Sequence, residues 1–378
     1  MNASYWEKEV FFKHADFAII GSGIVGLNAA LSIKANAPHA RVLVLERGTL
    51  PSGASTKNAG FACFGSLTEL LDDLEQQSED EVLALVEKRW KGLLRLRQTL
   101  GDNQLEYQNW GGYELFTHEE QEIYEKCADQ MSSWNKKLAP IIGHKSVFQI
   151  ATDQLRRMPF KGIQSLIWNA TEGQIHTGKM MHSLWQLAIK KGIDIYNGID
   201  IVHFEDHGNR VTLKTNSGTE ITTSKVIICT NGFAQQLLPQ MPLQPTRNQV
   251  LITEPIDNLS FKGTFHYDRG YVYFRNINKR ILLGGFRHLD KAAETTDEFG
   301  QTPLIQKALI DFLKNTILPH QEVKIEHWWS GIMGVGTSKA PIVQQYSPNV
   351  SIGIRLGGMG VAIGSLIGEE VAQISLSS

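Results

Sequence analysis

The sequence predicts an α/β protein in which a parallel-sheet unit is interrupted by a second, sheet-rich one. Three observations carry this expectation. Residues 16–48 read as strand, glycine turn, helix and strand. Residues 247–288 are almost wholly β in pattern, and 351–374 read as a strand, a glycine-rich turn and an apolar helix. A strand–helix–strand unit implies parallel pairing, and its separation from the closing strand implies an insertion between them.

Asp16 to Ile20 form a short apolar run, as a strand buried on both faces does. The turn Gly21-Ser-Gly-Ile-Val-Gly26 follows, then helical composition from Leu27 to Ala35 and a second apolar run, Arg41 to Leu45, ending at Glu46. Residues 51–66 are rich in Gly, Ser and Ala and read as a loop. Residues 68–100 and 117–138 have helical spacing, as does 176–192, whose last basic turn is followed by a glycine of the kind that caps helix C-termini. Strands are expected at 193–204, 209–215, 219–223 and 225–229, punctuated by Gly and Asn. The β block holds RNQVLITE, GYVYFRN and RILLGGF; a helix is expected over 303–318.

Composition narrows the function. The chain has 378 residues, with 37 Lys+Arg against 39 Asp+Glu and 42% hydrophobic residues. That supports one large or two modest cores and excludes a disordered chain. Near-neutral charge argues against an obligatory nucleic-acid partner. Cys63, Cys127 and Cys229 lie far apart without a C-x-x-C pair, so neither a disulfide framework nor a metal site is expected, and a reducing, cytoplasmic setting fits. His176 and His182 stand at helical spacing and are expected at the surface or in a cap. No secretory signal is read at the N-terminus. Ala15 to Ile33, mostly small and apolar, contains Asp16, Asn28 and three glycines, so no membrane span is expected there.

The chemistry begins at Gly21-x-Gly23-Ile24-Val25-Gly26. The first glycine permits the tight turn, the second lets backbone approach a pyrophosphate, and the third lets helix and strand pack closely. The helix N-terminus then favours the phosphate charge. Glu46 ends the next strand about twenty residues past Gly26, where a carboxylate accepts from ribose hydroxyls and disfavours NADP. The fingerprint leaves NAD and FAD both open.

Four motifs in order carry a resemblance that bears on that choice. They are Glu46-Arg47; Gly53-Ala54-Ser55-Thr-Lys-Asn58-Ala59-Gly60-Phe61; Cys229-Thr230-Asn231-Gly232; and Arg355-Leu-Gly-Gly358-Met359-Gly360-Val361. On them the chain resembles the D-amino-acid oxidase-like (DAO) superfamily of FAD-dependent oxidoreductases, nearest in pattern to its glycine oxidase and gamma-glutamylputrescine oxidase branches. The resemblance implies a discontinuous Rossmann-like FAD-binding domain plus a mixed, largely antiparallel β-sheet substrate domain with helices. Residues 1–92, 152–242 and 326–378 are expected in the first, and 93–151 and 243–325 in the second. Small residues of the second motif would bind phosphate and ribityl oxygens and pass close to a flat ring. Thr230 to Gly232 would lie near the dinucleotide, and the turn before Val361 would aim a helix N-terminus at the flavin. Ile201 falls roughly where the family's adenine-contacting valine lies.

By the same resemblance the substrate is a small-molecule amine or amino-acid derivative, oxidised at its C–N bond by hydride loss to flavin N5, the imine then hydrolysing. Electrons would pass to O2 or another acceptor. Tyr273, Arg275 and Met333 are the candidate pocket residues. In the amino-acid and glycine oxidase branches the run matching Trp329-Ser-Gly-Ile-Met333 ends in the arginine that holds an α-carboxylate. Methionine here makes a bare α-amino acid a poorer substrate than an amine with a distant or absent carboxylate. The oxygen-activating lysine of the sarcosine oxidase branch would fall near Leu282, which implies slow oxygen use or another route to it. That branch's covalent-flavin cysteine has no counterpart in Gly336-Thr-Ser-Lys-Ala-Pro341, so FAD is expected to be non-covalent. The alternatives are an FAD dehydrogenase feeding a quinone or carrier, a tRNA wobble-uridine-modifying oxidase, a non-catalytic flavin-binding scaffold, and a nicotinamide dehydrogenase.

Overall fold

Val42–Glu46 is buried throughout, Ala15–Ile20 is buried except at exposed Asp16 and half-buried Phe17, and the two pair in parallel, Phe17 opposite Val42 through Ile20 opposite Leu45. The computed structural model that shows this describes residues 4–378; residues 1–3, with which the first expected domain begins, lie outside the described residues. Around this pair the first sheet runs in the order Ile342–Ser347, Val350–Ile354, Glu220–Ile228, Ala15–Ile20, Val42–Glu46, Asp194–Asn197. The pairings are parallel except at the Ile342–Ser347 edge, and Val211–Thr215 and Ile201–Asp206 extend the sheet antiparallel beyond Glu220.

Glycines let the helices on this sheet sit close together. Ile24–Asn36 packs on Gly360–Ser377, where a Cβ on Gly364 would lie 2.6 Å from Ile24 and one on Gly368 2.7 Å from the Val25 carbonyl. The helix Glu79–Leu100 joins them through Gly92, whose Cβ would meet the Ala362 carbonyl at 2.3 Å. Burial of Leu27, Ile33, Leu93, Leu96, Ile363 and Ile367 supplies the main driving force for this layer.

The second sheet has the order Ile325–Val335, Gln244–Thr253, Arg280–Gly285, Val272–Ile277, Thr264–Tyr267, Gly112–Thr117, Ile163–Asn169, Phe148–Ile150. Only Thr264–Tyr267 beside Gly112–Thr117 is parallel. One face packs on the helix Pro303–Phe312 through Phe265, Phe274, Leu251 and Leu309. Side-chain alternation turns Tyr273 to the other face, against Ala59 and Phe61 of the 51–66 segment, which was expected as a loop but folds a short helix, Ala54–Lys57, and a two-residue strand, Phe61–Ala62.

Several boundaries differ from the sequence reading for identifiable reasons. Ile163–Asn169 and Ile325–Val335, assigned with 152–242 and 326–378 to the first domain, are strands of the second sheet; the latter pairs with Gln244–Thr253 along almost its full length. The 68–100 helix is two, Leu67–Asp73 and Glu79–Leu100, because Ser66–Glu69 and Ser78–Glu81 each form a capping box that starts a new helix. The 193–204 strand breaks at Gly198, which has φ +73°, and 219–229 is one strand. Strands Gly112–Thr117 and Ile342–Ser347 were not expected, and the second helix runs over Gln121–Ile142. Ala15 to Ile33 is strand, turn and helix, and no helix among the described residues is long and apolar enough to cross a membrane.

Candidate active site

The Gly-rich turn is held by steric necessity. A Cβ on Gly26 would sit 1.9 Å from the Gly21 carbonyl oxygen, and one on Gly23 2.9 Å from Ser55 Oγ. Gly23 N-caps the helix without a side chain, and Ser55 Oγ takes over the capping by accepting from Ile24 N–H at 2.9 Å. Glu46 is 7% exposed at the end of its strand, and its Oε2 accepts from Ser22 N–H at 3.1 Å and Ser22 Oγ–H at 2.7 Å. Arg47 lies over the Phe233 ring at 3.8 Å.

These residues line one wall of a cavity of ≈ 400 Å³ that runs between the two sheets. Gly21, Gly23, Ile24, Val25, Glu46, Arg47 and Ile201 line it, as do Gly53, Ala54, Ser55, Asn58, Ala59, Gly60 and Phe61. Thr230, Asn231, Gly358, Met359, Gly360 and Val361 complete that part of the lining. Two expected residues stand behind the wall. Gly26 serves the helix–turn contact, and Gly232 lets the 231 turn rest on the Met333 carbonyl, 2.7 Å from where a Cβ would be. Asn231, at φ +45°, accepts from Leu356 N–H at 3.2 Å and so ties two cavity turns together.

A dinucleotide suits this wall. Close backbone approach is available at Gly21 and Gly23, two helix N-termini open on the cavity, and a carboxylate stands at the strand end. Thr230 Oγ1 and Asn248 Oδ1 are buried polar atoms of lining residues without a hydrogen-bond partner among the described residues. Such atoms are costly unless a ligand or solvent satisfies them.

The remaining lining belongs to the second sheet and the helix Leu67–Asp73. Tyr273 lines the cavity and accepts at its hydroxyl from Asn248 Nδ2 at 3.0 Å; burial pushes its phenol pKa well up. Met333 lines it too, its sulfur 3.4 Å from where a Gly358 Cβ would lie. Arg275 does not line it. Its side chain is buried behind the 58–61 turn, with Nη2 3.0 Å from where a Gly60 Cβ would be, and burial without a facing carboxylate lowers its pKa to about 10. As a carboxylate clamp open to the cavity it is therefore misplaced; alternation along Val272–Ile277 puts it on the same face as Tyr273 but deeper under the loop.

Sequence reasoning placed Cys63 in the flavin loop and Lys339 near the pocket but missed Glu69, Asp72, His266 and Arg269 at the ionisable end of the cavity. Cys63, Glu69, Asp72, His266, Arg269 and Lys339 all line it. Lys339 pairs with Asp73, and Glu69 accepts from Ser66 N–H at 2.9 Å. His266 Nε2 lies 2.6 Å from Glu172 Oε1, both are almost wholly buried, and the carboxylate raises the imidazole pKa to about 9. Burial beside Glu172 and Glu69 pushes the Cys63 thiol far up, away from its nucleophilic thiolate form. The capping boxes are the one local signal here; His266 and Glu172 meet only through the fold. Away from the cavity, His176 caps the helix Thr177–Lys190 by accepting from Lys179 N–H at 3.3 Å.

Comparison with known proteins identifies the family. A model of FAD dependent oxidoreductases, DAO, matches residues 16–374. The chain is 22% identical over 384 residues to a probable oxidoreductase, OrdL, of Haemophilus influenzae, and 24% identical over 385 residues to that of Rhizobium meliloti. Each match covers 96% of this chain and 83% of the relative. Among solved structures, glycine oxidase from Geobacillus kaustophilus superposes with a TM-score of 0.76 at 18% identity, covering 97% of this chain and 95% of that one. L-proline dehydrogenase from P. horikoshii gives 0.73 at 18% identity, over 96% and 93%.

Proposed function

The chain belongs to the DAO family of FAD-dependent oxidoreductases, and from that premise we propose that it oxidises the C–N bond of a small amine or amino-acid derivative. FAD, when bound, supplies the oxidising power by accepting a hydride. Gly21 to Val25, Glu46, the 53–61 loop and the turn before Val361 would hold it. The observation that carries the reading is one continuous cavity. Its nucleotide-cradling wall runs directly into a wall of Tyr273, Met333, His266 and Glu69. Aromatic and ionisable groups there suit a small polar amine.

The protein's own part is selection and positioning. Phe61 meets Tyr273 edge-on at 5.6 Å and His266 at 5.2 Å, forming a stiff aromatic corner against which a substrate carbon is held. Met333 offers no charge to an α-carboxylate, which favours an amine whose carboxylate is distant or absent. The thiol of Cys63, kept protonated, supports non-covalent FAD. Leu282, packed with Ala59 and Val250, offers no ammonium for oxygen activation, which favours a carrier over oxygen as electron acceptor.

The test is the visible spectrum of the purified protein, repeated anaerobically with amines, N-methyl amino acids and D-amino acids added singly. Flavin bands near roughly 370 and 450 nm that bleach with one compound are the expected result. Flavin that no compound bleaches would return the protein to a binding scaffold. Reoxidation by a dye with little peroxide would mark a dehydrogenase.

A further inference from the structure

His266 faces two spaces. Its ring lines the main cavity beside Cys63 and Glu69, and also walls a separate void of ≈ 10 Å³. Glu172, on that void, accepts from Thr264 Oγ1–H at 2.7 Å as well as pairing with His266. Glu114 also lines the void, and its Oε1 accepts from Ser66 Oγ–H at 2.7 Å and from Thr68. Asn169 is 4% exposed on the same wall, and its Nδ2 has no hydrogen-bond partner among the described residues. The void has about the room of one water, with the polar partners that a buried water requires.

We propose that this void is a water site, and that His266, Glu172, the water and Glu114 form a proton path from the substrate end of the cavity to a buried carboxylic acid. The path rests on the reading above for its proton source. An amine that enters as an ammonium must lose one N–H proton before its carbon yields a hydride. The N–H bond breaks, its electron pair stays on nitrogen, and the proton passes to a neutral imidazole, left when the imidazolium releases its own proton through Glu172 and the water. Glu114 receives it, and a carboxylate becomes a carboxylic acid.

The surroundings favour a proton store there. Glu69 and His266 face Glu114, as do the hydroxyls of Ser66 and Thr68. Glu114 in turn raises the Cys127 thiol, and Glu172, Glu69 and Arg89 face Cys63. Four carboxylates, Glu114, Glu172, Glu69 and Asp73, thus face three cations, His266, Arg89 and Lys339, so one carboxylate is left uncompensated and takes up a proton most readily. Burial raises Glu114 to about 7, which marks it as that group.

Infrared titration of the FAD-loaded protein tests the path by following the C=O stretch of a protonated carboxyl group. The expected band disappears with a midpoint near neutral pH and is absent in Glu114→Gln. In His266→Gln it moves about one pH unit alkaline, because a positive charge facing Glu114 is gone. Asn169→Leu, which fills the void, keeps the band but slows its exchange into heavy water. Should Glu114→Gln fail to fold, carbon-13 glutamate labelling of the wild type assigns the band. A wild type without the band, a band unmoved in His266→Gln, or unchanged exchange in Asn169→Leu overturns the path. These readouts need no substrate, so they stand apart from the bleaching test of the oxidation itself.

Discussion

Ser55 Oγ accepts a hydrogen bond of 2.9 Å from the backbone N–H of Ile24, which joins the two cofactor loops before any ligand is considered. The helix that opens the Gly-rich turn has no cap of its own, because the close approach required at Gly23 leaves no side chain there. Ser55→Ala is therefore expected to destabilise the apoprotein by about 1 kcal/mol and to weaken FAD binding. Urea unfolding and a flavin-fluorescence titration measure the two effects, and unchanged stability would remove the capping role.

Gly26 answers to backbone, not to a movable side chain. With a Cβ 1.9 Å from the Gly21 carbonyl oxygen, Gly26→Ala must push the turn open. The cost expected is more than about 2 kcal/mol, with loss of copurifying flavin. Gly178→Ala, which does not line the cavity, is the control, since its Cβ meets nothing closer than the His176 ring at 3.4 Å. The flavin-to-protein absorbance ratio should separate the two variants; equal ratios would contradict the steric argument.

His266 couples stability to alkaline pH. Its folded pKa is raised from 6.5 to about 9 by Glu172, so the folded state binds this proton more tightly than the unfolded chain. The stabilisation is complete below about pH 6.5 and is lost as pH rises through about 9, a loss on the order of 3 kcal/mol. His266→Gln should be less stable than wild type at pH 6 and flatter between pH 6.5 and 9. Denaturant melts across that window decide it, and parallel pH profiles would sink the assignment.

Met333→Arg places a guanidinium at the cavity wall beside Gly358. If the Trp329-to-Met333 run stands where related enzymes carry their carboxylate-binding arginine, affinity for a small α-amino acid should rise about tenfold. Perturbation of the flavin spectrum by glycine reports the binding. No gain with any small amino acid would show that the run is wrongly matched.

What was legible in the sequence was what short-range chemistry enforces. Gly21, Gly23, Gly26 and Glu46 span one strand–helix–strand unit, so their spacing alone implies the strand, turn and helix that the structure shows. Tyr273 and Met333 were found through a matched motif, and both line the cavity. Arg275, two residues from Tyr273, was read as a pocket residue; nothing local says that the 58–61 turn lies over it. The His266–Glu172 pair joins positions 94 residues apart, and Glu114 reaches Ser66 across 48. No periodicity encodes such meetings. Ile342–Ser347 escaped notice because its Gln-Gln-Tyr centre lacks the apolar alternation of a half-buried strand.

The position of Ile325–Val335 and Val350–Ile354 near the chain's end has a consequence for synthesis. Ala15–Ile20 pairs with residues of Glu220–Ile228, which pair in turn with Val350–Ile354, while Ile325–Val335 closes the other sheet at Gln244–Thr253. A nascent chain on the ribosome therefore waits until the residues beyond about 324 have been made before either sheet can be completed. Non-local parallel pairing of this kind folds slowly and leaves strand edges open in the meantime. The topology therefore leaves these edges open during synthesis rather than in the finished molecule.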